Sequence, residues 1–511
     1  MSSLVIVRNA VFNVLAFLLN LTVSIVLIPV MLQHLGVAGF GVWALVRAFV
    51  GYAALGDLGL TSAVTKYIAE YSAMQRADEM GKVLKSAFVL YLVIMVAILV
   101  GAFLLKGPII NIFFAGGGVP PDEVTFVLYG SLIIFAVNTV FSIVPNALSG
   151  LQRMDLTNSV IAVHTLINGA GMYAAVVSGW GLRGIVWANA LAAAAGLLMN
   201  SFLFVRHLPF PAMLKARITR GDLRSLFAFS KNVFVVSLAS SIHQHLDKLL
   251  LSSFLTIRTV AAYEVGSRVV QQVRQIPVLM LTPLLPAASE FQAQEQADRV
   301  KELYLRALKY LVVLTVPMLG CLGLFASDVM EVWIGESDPL IVPTLQILLI
   351  SNFINVLTGP GFFIAIGIGS ARIPMYSALV GLSLNIVLSV VLLQWFGYFG
   401  AVFGSFGALT LASIYFLVMV HRRLEVAWRS VLRLVLPPAV AILPGYGASL
   451  LAAGLIEHTF ARLAMDVVVT VAVFAASLLV FGYFDDYDVR TLRHILKNIR
   501  GIASSSHDGT Q

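Results

Sequence analysis

The stretch GYAALGDLGLTSAVTKYIAEY, Gly51 to Tyr71, sets a carboxylate, Asp57, inside a long apolar run, with a guanidinium, Arg47, ten residues upstream. Charges in apolar surroundings are costly unless something receives them. Outward from this stretch, apolar runs of about 18 residues or more, each able to cross roughly 30 Å of hydrocarbon as a helix, recur along the chain. Of 511 residues, 59% are hydrophobic and 11% charged, and the mean hydropathy is +0.93. An average soluble domain carries roughly 25% charged residues. The chain therefore reads as an all-α polytopic membrane protein. Continuously apolar segments with scattered small residues suit helices, not the short alternating strands of a barrel.

About fourteen spans are expected, the first near 11 to 32 and the last near 463 to 483. The first run is too long for a signal-peptide core and is followed by no small-residue cleavage site, so it reads as a retained helix. Alternate loops differ in charge. One set holds nearly all the Lys and Arg, including Lys66, Arg76, Lys82, Lys85, the run from Arg206 to Lys231, and Arg422 to Arg433; the other holds only Lys106, Arg183, Arg258 and Arg462. The positive-inside rule then puts both termini in the cytoplasm, and the net charge of +8 faces anionic lipid and not nucleic acid. A single cysteine, Cys321, excludes an internal disulfide and offers no metal cluster.

The chain also matches itself. AEYSAMQRAD, Ala69 to Asp78, resembles SEFQAQEQAD, Ser289 to Asp298, and GLRGIVWA from Gly181 resembles GYFGAVFG from Gly397, both at an offset close to 220. The expectation is two pseudo-symmetric six-helix lobes, 1–205 and 232–421, joined by a basic linker, 206–231. Two added spans, 422–484, and a tail, 485–511, follow. Units with an even number of spans point the same way across the membrane, and such bundles bind at the interface between lobes. The largest loops of the sparsely charged set, 106–123 and 327–340, are too short to fold a catalytic domain. Transport, and not bond-making enzymology, is the class this favours.

Polar side chains fall in stripes. Glu264, Arg268, Gln271 and Gln275 follow intervals of four, three and four, as do Ser237, Ser241, Gln244 and Lys248, so each set shares a helix face. Asn9, Asn13, Asn20 and Ser24 mark the first span, and Asn138, Ser142 and Asn146 the fourth. For the amides and hydroxyls, interhelical hydrogen bonding and a wet cavity are equally open readings; for the charges a shared cavity is favoured. Glu264 and Arg268 are spaced as an intrahelical pair, which leaves Arg47, Arg274 and, near a span end, Lys248 wanting an anion. Planar guanidinium forks suit phosphate. Asp57, between Gly56 and Gly59, reads as a bend whose carboxylate either pairs with a cation such as Arg47 or binds a coupling proton or sodium; Glu264 divides in the same way.

The segment from Leu35 to Tyr71 resembles the N-terminal region of Wzx-type oligosaccharide flippases, of the multidrug/oligosaccharidyl-lipid/polysaccharide exporter superfamily. Gly39-Phe40-Gly41, the Asp57-Leu58-Gly59-Leu60 turn and the Glu70-Tyr71 pair carry the resemblance, and the duplication with two extra helices fits that branch. The resemblance implies alternating access by two lobes that move a polyprenyl-pyrophosphate-linked glycan across the bacterial inner membrane for O-antigen, capsule or exopolysaccharide assembly. It implies no resident cofactor, coupling to H+ or Na+ through Asp57 or Glu264 or to the membrane potential, and a polysaccharide polymerase and chain-length regulator as neighbours. The pyrophosphate role falls on Arg47, Arg268, Arg274 and Lys248, with Arg8 a further candidate and Gln244, Gln271 and Asn13 lining the cavity. The alternatives are a lipid II flippase and a cation-coupled multidrug exporter of the same superfamily; the first span's lack of acids argues against the exporter. In the tail, Val489, Leu492, Leu496 and Ile499 oppose Arg490, Arg493, Lys497 and Arg500, the pattern of a helix lying on anionic lipid.

Overall fold

Gly36 decides how the first long helix is read. In the computed structural model, which describes residues 3–116, 118–335, 338–452, 458–488 and 490, helix α1 runs Ser3–Ala53. At about 1.5 Å per residue a helix of this length is far longer than one bilayer crossing. Gly36 interrupts it with φ +68° and ψ 172°, a conformation open to glycine, so two spans meet there. Side chains of 3–14, 16 and much of 225–243 are outside the described set. The expectations for Arg8, Asn9, Asn13 and Ser237 therefore lie outside the described residues, as do those for the tail beyond 490.

A 3-10 turn (Ala54–Asp57) leads to α2 (Leu60–Ala73), α3 (Ala77–Leu104) and α4 (Lys106–Phe113). Then come α5 (Pro121–Phe141), α6 (Ile143–Gly150), α7 (Met154–Val177), α8 (Gly181–His207) and the short α9 (Phe210–Lys215). The chain continues with α10 (Arg220–Phe254), α11 (Ile257–Leu279), α12 (Leu284–Ala293), α13 (Ala297–Leu324) and α14 (Ala326–Ile334). It ends with α15 (Ile341–Val356), α16 (Gly359–Gly367), α17 (Arg372–Phe396), α18 (Tyr398–Leu424), α19 (Trp428–Ala452) and α20 (Thr459–Val480). The described residues contain no strand. Among the described residues eleven helices are long and apolar enough to cross a membrane, the first of them Phe17–Asp57. Dividing that one at Gly36 and adding α10 and α11, whose polar stripes lower their hydropathy, gives fourteen. The loops expected at 106–123 and 327–340 carry the short helices α4 and α14.

The duplication is visible in the element boundaries. Helix α13 opens at Ala297 and closes at Leu324 where α3 opens at Ala77 and closes at Leu104, so both ends keep the offset of the sequence matches. Helix α15 opens at Ile341 where α5 opens at Pro121, again at that offset. Both copies of the matched decapeptide turn the same way: α2 ends at Ala73, Gln75 takes φ 57°, and α3 starts at Ala77; α12 ends at Ala293, Glu295 takes φ 56°, and α13 starts at Ala297. Similar residues at a constant offset thus build the same helix–turn–helix.

By packing, the chain divides into two units: Met1–Gln272 with Glu336–Ser351 and Pro374–Ser413, and the remainder from Val273. In the first, a core forms around Leu84, Tyr91, Val144 and Leu148 where α2, α3 and α6 meet. The basic linker is partly tied down here, because Lys85 donates to the carbonyls of Leu214 (3.1 Å) and Ala216 (2.6 Å). In the second, Tyr304, Leu308, Ile364, Phe416, Ile442 and Phe474 join α13, α16, α18, α19 and α20.

Candidate functional site

Small residues let three helices of the first unit come close. Past Gly36, α1 presents Gly41, Ala44, Ala48 and Gly51 at intervals of three, four and three, one face of a helix. A Cβ at Gly41 would collide with the backbone of Ile257 at the start of α11, and one at Gly51 with the His245 imidazole on α10. That close approach gathers the charges of α1, α10 and α11.

Lys248 of α10 is buried and its Nζ pairs with Oε2 of Glu264 on α11. Arg268, one turn further along α11, sets Nε 3.6 Å from Glu264 Oε1. Glu264 is 3% exposed and so serves two cations. Arg47 of α1 joins no ion pair among the described residues; the charges that act on it are those of Arg268 and then Glu264. Its guanidinium lies 5.0 Å from the centre of the Trp43 ring, and it is exposed where Lys248 and Glu264 are buried. Three cations thus share one carboxylate, and the surplus is presented at Arg47 and the partly accessible Arg268. In a medium of low dielectric such a surplus attracts an anion strongly.

The sequence reading left Lys248 without a partner and near a span end; the structure buries it against Glu264. Arg274, at the end of α11, belongs to the second unit and joins no ion pair among the described residues. Gln244 is exposed and Gln271 half-buried, and Asn13 lies outside the described side chains. Part of the polar lining is interhelical bonding: Thr165 donates to Asn20 (3.4 Å), Gln272 to Ser24 (3.5 Å) and Asn146 to Thr61 (3.1 Å).

Asp57 is held without a cation among the described residues. Leu58 (φ 47°) and Gly59 (φ 79°) are left-handed, so the expected bend is a tight turn that swings Asp57 over the start of α2. Its carboxylate accepts from the N–H groups of Gly59 and Thr61 (3.2 Å each), the Thr61 hydroxyl (2.7 Å) and the Tyr91 hydroxyl. It caps the helix.

A further carboxylate carries positional weight that spacing could not reveal. Asp247, 2% exposed, accepts from the hydroxyls of Tyr263 and Ser405 and from that of Ser389 at 3.2 Å. Asn385 in turn donates to Ser405 at 3.1 Å. This buried network joins α10 to α11, α17 and α18 and fixes the backbone beside Lys248. The two serines lie 142 and 158 residues from Asp247, beyond any helical period. Among the described residues no three His, Cys, Asp or Glu side chains converge as a metal-ligand set.

A duplicated helical bundle with uncompensated cations at membrane depth defines a polytopic membrane protein of transporter architecture. The chain belongs to the polysaccharide biosynthesis protein family, whose profile matches residues 6–292; a MatE profile matches 233–391. It is 24% identical over 431 residues to a putative O-antigen transporter of Shigella flexneri, covering 76% of this chain and 97% of that one. It is 23% identical over 381 residues to a probable low-salt glycan biosynthesis flippase of Haloferax volcanii, covering 72% and 74%. Among solved structures it resembles the lipid II flippase MurJ in an inward closed conformation, with a TM-score of 0.71 at 13% identity over 93% of this chain and 98% of that one. It likewise resembles an inward-facing multidrug transporter of the MATE family, with a TM-score of 0.69 at 16% identity over 81% and 98%. The shared feature is the fold.

Proposed function

We propose that this protein is a flippase that carries a polyprenyl-pyrophosphate-linked oligosaccharide across the bacterial inner membrane by alternating access, for O-antigen, capsule or exopolysaccharide assembly. One observation carries the reading: Lys248 and Arg268 both meet a single carboxylate, Glu264, while Arg47, within reach of the same charges, joins no ion pair among the described residues, leaving positive charge where a pyrophosphate can use it. The exposed Arg47 and the partly exposed Arg268 receive the phosphates, while Lys248 and Glu264 hold the helices that present them. Arg274 is assigned to the same cargo, and Gln244, Gln271 and Asn13 to its sugars. The duplicated halves, 1–205 and 232–421, act as the lobes that rock, and the polyprenyl tail stays in lipid. No bond is made or broken.

Two sources of work fit the charges. One is a proton or sodium gradient acting through Asp57 or Glu264; the other is the membrane potential acting on the anionic head, at about 2.3 kcal/mol per charge per 100 mV. Both termini are placed in the cytoplasm on the loop charges, with anionic lipid against the basic loops and a polysaccharide polymerase and chain-length regulator as neighbours. The test is reconstitution with a fluorescent polyprenyl-pyrophosphate glycan, scoring leaflet exchange with and without an imposed gradient. Exchange by the native protein that falls at least about tenfold in Arg47→Ala and Arg268→Ala, the scale of one charge-assisted bond, supports the reading. Equal exchange by all three overturns the cation assignment. Exchange of lipid II alone, or export of an organic cation, assigns the protein to those activities instead.

A further inference from the structure

Helix α19 contains Pro437 and Pro438, and what they open is separate from the cation cluster. A proline has no N–H to give the carbonyl four residues back, so the carbonyls of Arg433 and Leu434 lose their helical donors. Leu434's is met by the Tyr483 hydroxyl at 2.7 Å; Arg433's is freed for a donor from outside the helix. Beside this break lies an open groove of about 560 Å³ within the second unit, lined by Arg433, Leu436, Pro437, Val440, Phe481 and Lys309 among others. Its volume is within the range of small-molecule sites, about 300–1,000 Å³.

The lining is divided by chemistry. Lys309 is buried, and its charge is taken by Asp488 and, at 3.5 Å, Asp485. Arg433 is exposed and joins no ion pair among the described residues, so it is the groove's free cation. Leu436, Val440 and Phe481 are each more than half exposed, an apolar floor. Arg433 also belongs to the loop set that the charge bias puts on the cytoplasmic side. A cation at the rim, a carbonyl acceptor next to it and an apolar floor complement one kind of molecule.

We propose that this groove is a resident site for a single anionic glycerophospholipid of the inner leaflet, its phosphate on the Arg433 guanidinium, a headgroup hydroxyl on the Arg433 carbonyl, and an acyl chain along Leu436, Val440 and Phe481. The site wedges lipid beside the two helices that follow the duplicated lobes. It stands on the second unit alone and does not depend on the flippase reading.

The test is native mass spectrometry of the full-length protein, extracted in mild detergent and then titrated with phosphatidylglycerol or phosphatidylcholine. Wild type should retain one anionic lipid per chain and prefer phosphatidylglycerol. Arg433→Glu should lower that occupancy about tenfold or more, the effect of reversing a charge-assisted contact, and Val440→Trp should displace the lipid by filling the floor. Arg258→Glu, an exposed cation of the first unit, should change nothing. Equal occupancy in Arg433→Glu and wild type, equal retention of the zwitterionic lipid, recovery of a polyprenyl phosphate in place of a phospholipid, or no retained lipid would each overturn the proposal. If Val440→Trp unfolds, Arg433→Glu with an unchanged thermal transition decides alone.

Discussion

Lys248 and Lys309 are both buried against carboxylates, at 6% and 7% exposure, yet they are balanced differently. Around Lys309 the acids outnumber the cation: Asp488 pairs with it, Asp485 lies 3.5 Å away, and Tyr310 donates to Asp488 at 2.6 Å. Asp485 and Asp488 also each donate a backbone N–H to the other's carboxylate, at 2.9 Å, just after α20. Lys309, Tyr310, Asp485 and Asp488 thus answer one another within the protein. Around Lys248 three cations share Glu264. The first arrangement is a joint that holds α13 to the segment that follows α20; the second keeps charge in reserve for something that is not part of the protein.

The contrast is broken most sharply at Glu264. Glu264→Ala leaves buried Lys248 and Arg268 without a counter-charge and should cost about 3–5 kcal/mol of stability, the scale for orphaning one member of a buried pair. Thermal or denaturant unfolding in detergent measures it. Lys248→Leu with Glu264→Leu should restore much of the loss. Arg47→Ala should cost little stability, since Arg47 is exposed and unpaired, while abolishing transfer. A stability loss for Arg47→Ala as large as that of Glu264→Ala would mean that its charge is structural and the reserve is not real.

Gly51→Ala comes next. Its Cβ would collide with the His245 imidazole, so that ring must turn aside or α1 and α10 part, and parting should cost about 1–3 kcal/mol as for other overpacked sites and loosen the cation cluster. Gly369→Ala, where no atom lies within 4 Å of the built Cβ but φ is +76°, separates collision from backbone strain. A Gly51→Ala protein with unchanged stability and transfer would show that the close approach does not hold the site together.

The joint at Lys309 is sharpened by pH. Burial pushes the Asp488 carboxyl up, but hydrogen bonds from Lys309 and Tyr310 outweigh it and hold the carboxyl below its usual value. A carboxyl depressed in the folded state contributes stability that is fully present above its unfolded pKa of about 3.9. That contribution fades as pH falls through the lower folded value. Asp488→Asn should therefore lower stability by about 1–2 kcal/mol at pH 7, with Asp485 still beside Lys309, and should flatten the acid limb of the stability profile. An acid limb unchanged by the substitution would place the pH response elsewhere.

How much of this was legible in the sequence follows from distance along the chain. The spans and the repeat were, because apolar runs and a constant offset between matching segments are properties of one strand of text. Even α10 and α11, which carry polar stripes, are legible as spans, and the intervals of their polar residues place those residues on one face. The Glu264–Arg268 pair was legible from its spacing of four. Lys248 to Glu264 was not, since it crosses between two helices. Nor was the hydroxyl cage of Asp247, whose serines come from distant helices of the same half. The duplication does not supply the acid either: the first half has Ala44 at the position equivalent to Glu264, and Ile28 at the one equivalent to Lys248. Arg47 and Arg268, by contrast, correspond to within one position of the repeat. Each half of the duplication thus provides one guanidinium, and the acid that organises them is peculiar to the second.

Asp57 is the third case and the smallest effect. Like Asp488 it is answered by donors, but none is a cation among the described residues; the N–H groups of Gly59 and Thr61 and two hydroxyls satisfy it. Tyr91→Phe removes one of four donors from a half-buried carboxylate and should cost about 1 kcal/mol, because Thr61 and the backbone remain. If Asp57 is only a cap, Tyr91→Phe and Asp57→Asn should both lower the unfolding temperature while the gradient dependence of leaflet exchange stays as in the native protein. If the carboxylate carries the coupling ion, Asp57→Asn should erase the gradient dependence outright, while Tyr91→Phe, which leaves the carboxylate in place, should keep it. The gradient dependence of leaflet exchange, compared between the native protein and Asp57→Asn, therefore separates a structural carboxylate from a working one.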